Sequence, residues 1–287
     1  MSSGPSDLSQ AIAPPADIAE ALASTSAERG AFGSPLFYFS NIGSTNDLAA
    51  RLAASGAGEG TTVAAEAQTA GRGRLGRTWF SPQGAGLYVS VVIRPDPVPG
   101  QAPGTTPQAP ALALPAMLTL AAGVALAEAV REATGLAAEI KWPNDLVYER
   151  RKLAGILAEA AAQGAAFDYV VLGFGVNIRA VTYPPGVAHR ATSIEAELGR
   201  PVDRGLLFVR ALSRLSACRA ALREGDAAGV LDRWRRLSPS AVGSPVEWRG
   251  PDGTQAGRTA GLGADGALLV ERDGVVERVV AGDIIWL

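Results

Sequence analysis

Nineteen consecutive residues without a charge, Ala109 to Ala127, constrain this 287-residue chain more than any other stretch. A run of about that length can cross a bilayer. This one contains Pro110, Pro115 and Gly123 and is rich in alanine, which inserts weakly. A helix buried against a sheet reads the same way, and about Met117–Glu132 is expected to be that helix. A long helix of this kind needs strands to cover, and the flanking sequence supplies them. Leu87–Ile93 (LYVSVVI) is a β-branched run with strong strand character, and Tyr169–Asn177 (YVVLGFGVN) reads as a second buried strand.

Shorter elements fill the remainder. Leu36–Phe39 and Thr62–Gln68 read as strands, as do Glu139–Lys141, Leu146–Tyr148 and Leu153–Glu159. Ser44-Thr45-Asn46-Asp47 offers capping side chains to a helix over Asp47–Ala54. Arg204–Glu224 places Leu207, Ala211, Leu215, Cys218 and Leu222 on one stripe of an amphipathic helix, and Ala227–Leu237 follows as another. Residues 94–110 carry six prolines and read as a surface insertion. From Gly243 onward, short apolar runs alternate with Asp252-Gly253, Asp265-Gly266 and Asp273-Gly274, the signature of successive hairpins. Three segments are expected: a poorly ordered, Ala/Ser/Pro-rich tail over 1–35, an α/β body over 36–240, and a small antiparallel barrel over 241–287 that is too short to stand alone.

Composition narrows the chemistry. One cysteine and one histidine exclude a disulfide framework, a Cys/His zinc site and a CxxC redox pair. A net charge of −2 gives no global basic field for nucleic acid. The first 30 residues lack the basic start and apolar run of a secretory signal, so a soluble, cytoplasmic protein is expected. The 34 glycines and 19 prolines imply many punctuated connections, and function is expected on loops.

Four groups of residues can carry chemistry. In Gly71-Arg72-Gly73-Arg74-Leu75-Gly76-Arg77, glycines permit positive φ and a close approach to a ligand, while arginines offer forks for carboxylate or phosphate. In Lys141-Trp142-Pro143-Asn144-Asp145, Lys141 suits phosphate and Asp145 suits Mg²⁺, or the two simply pair across a hairpin. Lys152 heads the apolar run Leu153-Ala154-Gly155-Ile156-Leu157, where a charge must be paired or functional. Asn177 ends a hydrophobic strand, either with donor and acceptor free to read a purine edge or as an ordinary turn cap. Together they suit two anionic partners joined by positioning alone, which is the logic of an adenylating ligase.

Taken in order, Ser44-Thr45-Asn46, Gln68, Gly71–Trp79, Lys141–Asp145, Lys152–Leu157 and Gly173–Asn177 make the chain resemble the biotin protein ligases from about Phe39 to the C-terminus. The resemblance implies an α+β fold, a mixed sheet with flanking helices of the class II synthetase-like kind, followed by a small SH3-like barrel. It implies two reactions: biotin and ATP give biotinyl-5′-AMP, and a lysine of a biotin carboxyl carrier protein then takes the biotin. By position, Ser44, Thr45, Asn46, Gln68, Gly71, Arg72, Gly73, Arg74, Lys152 and Gly155 would surround biotin. Arg74, Arg77, Trp79, Lys141, Asn144, Asp145 and Asn177 would surround the nucleotide, with Asp145 on Mg²⁺. Arg72, Arg74, Lys141 and Lys152 would supply the catalytic cations.

Some 35 residues precede Leu36 and hold no basic recognition helix, so neither DNA binding nor membrane association is expected. A homodimer through a sheet edge is an expectation of the family. Residues 179–190 (RAVTYPPGVAHR) contain no tryptophan where the family places a loop over the adenylate. Lipoate–protein ligase is the rival enzyme, but polar Ser44, Thr45, Asn46 and Gln68 suit a ureido ring better than a dithiolane. A non-catalytic nucleotide- or RNA-binding module is the other alternative.

Overall fold

The structure, a computed structural model, describes residues 6–96, 113–163, 166–250, 253–280, 282 and 284–287. In chain order its main elements begin with α1 (Ala16–Ser24), α2 (Ser26–Arg29), β1 (Leu36–Phe39), α3 (Thr45–Ala54), β2 (Thr62–Ala65) and β3 (Gly86–Ile93). The middle of the chain forms α4 (Ala113–Thr134), β4 (Glu139–Lys141), β5 (Asp145–Tyr148), β6 (Arg151–Gln163) and β7 (Ala166–Asn177). Helices α5 (Pro185–Ala188), α6 (Ile194–Leu198), α7 (Arg204–Arg223) and α8 (Ala227–Arg236) follow. Five strands close the chain: β8 (Val242–Gly250), β9 (Gly253–Leu262), β10 (Leu268–Arg272), β11 (Val275–Val279) and β12 (Ile284–Trp286).

Seven strands form one mixed sheet in the order β1-β2-β3-β7-β6-β5-β4. Only β1 and β2 run parallel; the other pairs are antiparallel. Every residue of β3 is buried, as expected of a central strand with both faces covered. Helix α4 covers one face, with Leu118, Val124, Leu126 and Val130 all in the main core. By length and composition α4 could cross a membrane, yet it is packed against β6, α7 and α8. The charge-free run is therefore a core helix over its described part. Helix α3 covers the other face through Leu48, Ala49 and Leu52, which pack with Phe39, Val63, Val92 and Val171. Most of the proline-rich insertion lies outside the described residues.

The loose tail expected over 1–35 is not what the structure contains over its described part, residues 6–35. Helix α1 packs against α7, and Ile18 is fully buried in the main core. Gly205 allows the approach, because a Cβ there would lie 2.2 Å from the Asp17 carbonyl oxygen. Arg204 then donates to Asp17 at 3.0 Å and to Glu66 at 2.7 Å, fixing α1 to both α7 and the sheet. Arg29 is buried with donors on Thr25 Oγ1 and on the carbonyls of Leu22 and Phe32. Composition concealed this, because one buried isoleucine and one buried arginine outweigh the small and polar residues around them.

Strands β8 to β12 form a second, antiparallel sheet in the order β11-β10-β9-β8-β12, as an SH3-like unit requires. The Asp273-Gly274 turn has both residues at positive φ, 53° and 79°, the geometry of a two-residue hairpin loop. The turn expected at Asp252 lies partly outside the described residues. Val246, Leu268 and Val270 share the main core with α4 and α7, so the second sheet completes the first body's core. Two polar clasps reinforce this seam. Trp142 Nε1 donates to the Gly266 carbonyl at 3.1 Å, and Arg150 donates to the carbonyls of Trp286 and Leu287 at 3.2 and 2.8 Å.

If α1 belongs to the folded body, Ile18→Ala removes a fully buried side chain and should cost about 2–5 kcal/mol in urea denaturation. A cost under about 0.5 kcal/mol, the range of neutral surface changes, would place α1 outside the cooperative unit.

Candidate active site

A cavity of about 520 Å³ opens above β6 and β7, within the usual range for small-molecule sites. Every residue expected to surround biotin or the nucleotide lines it except Gly71. Gly71 lies under its rim, where a Cβ would meet Trp79 O at 2.5 Å and Ser81 Oγ at 2.7 Å.

The floor is bare backbone. Gly155 and Gly175 are register partners across β6 and β7, and the Trp79 indole is pressed onto both. A Cβ at Gly175 would lie 2.3 Å from Trp79 Nε1, and one at Gly155 would lie 2.9 Å from the ring. Trp79 Nε1 is buried with no hydrogen-bond acceptor. The Lys152 ammonium sits 5.4 Å from the centre of the same ring, a cation–π arrangement. Gly173 serves Asn46 in the same way, since a Cβ there would fall 2.0 Å from Asn46 Oδ1.

At one end of the cavity the start of α3 supplies a polar cluster. Ser44 caps α3 by accepting from the Asp47 amide at 3.4 Å. The Thr45 amide and hydroxyl both donate to Gln68 Oε1, at 2.9 and 3.1 Å. Gln68 Nε2 donates to Ser81 Oγ at 2.9 Å. Ser44, Thr45 and Asn46 are all at least 95% buried, and such polar groups persist in a core only when bonded.

The loop over residues 71–77 is a small hairpin. Arg72 bridges Thr78, and the Gly73 amide donates to Arg77 O at 2.7 Å. Its positive φ values fall at Leu75 and Gly76, 56° and 73°, so Gly71 and Gly73 do not supply the left-handed turn expected of them. Leu75, 68% exposed, sits at the tip. Arg74 donates to Asn144 Oδ1 at 2.9 Å. Asn144 in turn exchanges two bonds with Ile156, each 2.9 Å, so one side chain ties the 141–145 turn to β6 and to the hairpin.

Four sequence readings are corrected or decided by these contacts. Arg72 is not simply a cation open to substrate: Asp47 and Glu159 hold it at 2.7 and 2.6 Å. Lys152, expected to be paired or functional, is paired with Asp145 Oδ1 at 2.6 Å. Lys141 and Asp145 are register partners across β4 and β5, yet the Asp145 carboxylate turns to Lys152. Asn177 is 8% exposed and its amide nitrogen donates to Thr192 O at 2.9 Å, so that donor is committed to the backbone and not free for a purine.

Sequence reading also missed residues. Tyr183 and Phe80 meet edge to face at 6.4 Å on the cavity wall. The Tyr183 hydroxyl donates to Thr192 O at 3.0 Å, and burial pushes its pKa above the ordinary tyrosine value. Arg150, Arg190 and Trp286 line the same space; Trp286 arrives from the second sheet, 136 residues from Arg150. His189 lies on the exposed 179–190 segment. Cys218 is fully buried, and burial raises its thiol pKa to about 11, so it is a core residue and no nucleophile.

A sequence profile of the biotin/lipoate A/B protein ligase family matches residues 38–177. The biotin–(acetyl-CoA-carboxylase) ligase of Mycobacterium tuberculosis is 36% identical over 252 residues, which cover 85% of this chain and 86% of that protein. The bifunctional ligase/repressor BirA of Bacillus subtilis is 33% identical over 255 residues, 88% of this chain and 74% of that one. Among solved structures, the biotin protein ligase of Aquifex aeolicus in complex with biotin and ATP superposes with a TM-score of 0.71 at 26% identity, covering 88% of this chain and 98% of the other. Similarity of this extent, spread over both sheets and the site between them, makes the chain a member of the biotin protein ligases within the biotin/lipoate ligase family.

Proposed function

We propose that the chain joins biotin to ATP as biotinyl-5′-AMP and then transfers biotin to a lysine of a biotin carboxyl carrier protein. One observation carries the reading: a buried polar head-group cluster and a cationic wall share one cavity. Arg72, Arg74, Arg77, Lys141, Arg150, Lys152 and Arg190 line it, and Asp145 is the only carboxylate among the described lining residues. A chain of net charge −2 has thus placed seven of its 26 cations, both lysines among them, around one space, which suits a triphosphate beside a carboxylate. The polar cluster favours a ureido ring over a dithiolane, which argues against lipoate.

The chemistry needs no protein nucleophile. Held between the Trp79 floor and Lys152, the biotin carboxylate attacks the α-phosphorus of ATP and pyrophosphate leaves. The carrier lysine amine then attacks the acyl carbon of the mixed anhydride and AMP departs. Arg74, Lys141 and Lys152 lower the repulsion between the two anions and stabilise charge as it spreads over the phosphorus oxygens. Asn144 holds Arg74 in place for this work. Trp79, Phe80 and Tyr183 offer aromatic surface for the adenine and exclude water. Asp145 fits Mg²⁺ as a lone carboxylate, a common arrangement when substrate phosphates and water complete the shell. When bound there, the ion would neutralise phosphate charge and favour departure of pyrophosphate.

The functional division of the chain follows: residues 16–240 serve catalysis, and 241–287 complete one wall of the site. The described N-terminal helices carry Asp17, Glu20 and Glu28 against one arginine, which suits a ligase without a DNA-binding role. A cytoplasmic location and pairing of two copies through a sheet edge complete the reading.

Exchange of pyrophosphate into ATP tests it directly. The exchange should require biotin; dependence on lipoate, or on neither acid, would replace this reading with its rivals. Lys152→Ala should lower the biotin-dependent exchange roughly 30- to 1,000-fold, the loss of about 2–4 kcal/mol of transition-state binding. Exchange at the wild-type rate would remove Lys152 from the mechanism. Trypsin should cut after Arg72, Arg74 or Arg77 more slowly once biotin and ATP are present, because the hairpin closes over them. Equal cleavage with and without the substrates would show that it does not close.

A further inference from the structure

Behind the cavity wall, two residues that do not touch the cavity complete a hydrogen-bonded circuit. Ser90 is fully buried at the centre of β3, a small hydroxyl side chain among the aliphatic residues of LYVSVVI. Its Oγ lies 2.5 Å from Asn46 Oδ1 and 2.8 Å from Thr45 Oγ1. Glu159 is the sole charge in the run Leu153–Ala162 of β6. Its Oε2 accepts from Asn46 Nδ2 at 2.7 Å and from Arg72 at 2.6 Å.

The protons in this circuit have almost no freedom. A carboxylate only accepts, so Glu159 fixes the Asn46 amide with Nδ2 toward itself and Oδ1 toward Ser90. Asn46 Oδ1 has no proton, so the Ser90 hydroxyl must donate to it. The Thr45 hydroxyl then donates either to Ser90 Oγ or to Gln68 Oε1. Gln68 is fixed by accepting the Thr45 amide, which leaves Nε2 for Ser81; the Ser81 hydroxyl donates to Trp79 O at 3.2 Å. The circuit begins on Arg72 and ends on Trp79, on either side of the hairpin tip, and passes through the head-group cluster between them.

We propose that Ser90 and Glu159 are positioning residues for biotin, Ser90 by fixing the Asn46 amide and Glu159 by linking that amide to the 71–77 hairpin through Arg72. The proposal rests on the biotin ligase reading. Gly173 makes the role specific: with Asn46 Oδ1 already against the sheet backbone, rotation of the amide is the freedom that Ser90 removes.

Calorimetric titration of the full-length chain with biotin and, separately, with ATP tests it, alongside thermal melting. Ser90→Ala leaves a buried acceptor unmatched and should raise the biotin Kd roughly tenfold or more, with the ATP Kd changed less than about twofold. Glu159→Gln is half exposed and retains an acceptor for Asn46 while losing the charge opposite Arg72. It should speed tryptic cleavage of the hairpin and raise the biotin Kd less than Ser90→Ala does. An unchanged biotin Kd in Ser90→Ala, or equal losses for biotin and ATP, overturns the role of Ser90. Wild-type cleavage kinetics in Glu159→Gln overturns the role of Glu159. Failure of the wild-type chain to bind biotin would be a different result, one that removes the ligase reading and this inference together.

Discussion

Contact between the Trp79 indole and the uncovered backbone of β6 and β7 is the constraint on which the site depends. A sheet normally presents a layer of side chains on each face. Here Gly155, Gly173 and Gly175 remove that layer over one patch, and groups from distant loops lie directly on the peptide planes. Glycine in a strand is entropically costly. The cost is tolerable because β3, β6 and β7 are held in the middle of seven strands with α3 on one face and α4 on the other. A ligand can then share a rigid, flat support with an aromatic ring and a cation.

Charge is arranged as economically as shape. Lys152 is paired with Asp145, and Arg72 with two carboxylates, so neither cation waits unpaired beside a hydrophobic floor. Both pairs are partly exposed and solvent screens them, which lets an entering phosphate or carboxylate compete for the cation. The lining is cationic where substrates bind, and the compensating acids stand mostly behind it.

Much of this was legible in the sequence. Local pattern located the strands and the two long helices, because β-branched runs, an apolar stripe and a charge-free helix have few alternative uses. Motif order located the cavity, and nearly every residue named from it lines the space. What escaped reading depended on pairing across long separations. Glu159 meets Arg72 across 87 residues, a pairing that no local pattern announces. Leu75 adopts positive φ beside glycines that do not all need it, because the hairpin register sets the turn. Ile18 looked like part of a loose tail because its partner helix lies almost two hundred residues away. Ser90 and Glu159 did carry a signal, Ser90 as a small hydroxyl among the β-branched residues of β3 and Glu159 as the sole charge between Leu153 and Ala162.

The clasp between Trp142 and Gly266 has a wider meaning. One wall of the reaction chamber, with Ile284, Ile285 and Trp286, belongs to a different sheet from its floor, and the residue joining them sits inside the same short turn that supplies Lys141 and Asp145. The chamber is a seam rather than a pit in a single body. Its width is therefore a property of assembly, and conditions that loosen the join will blunt substrate affinity.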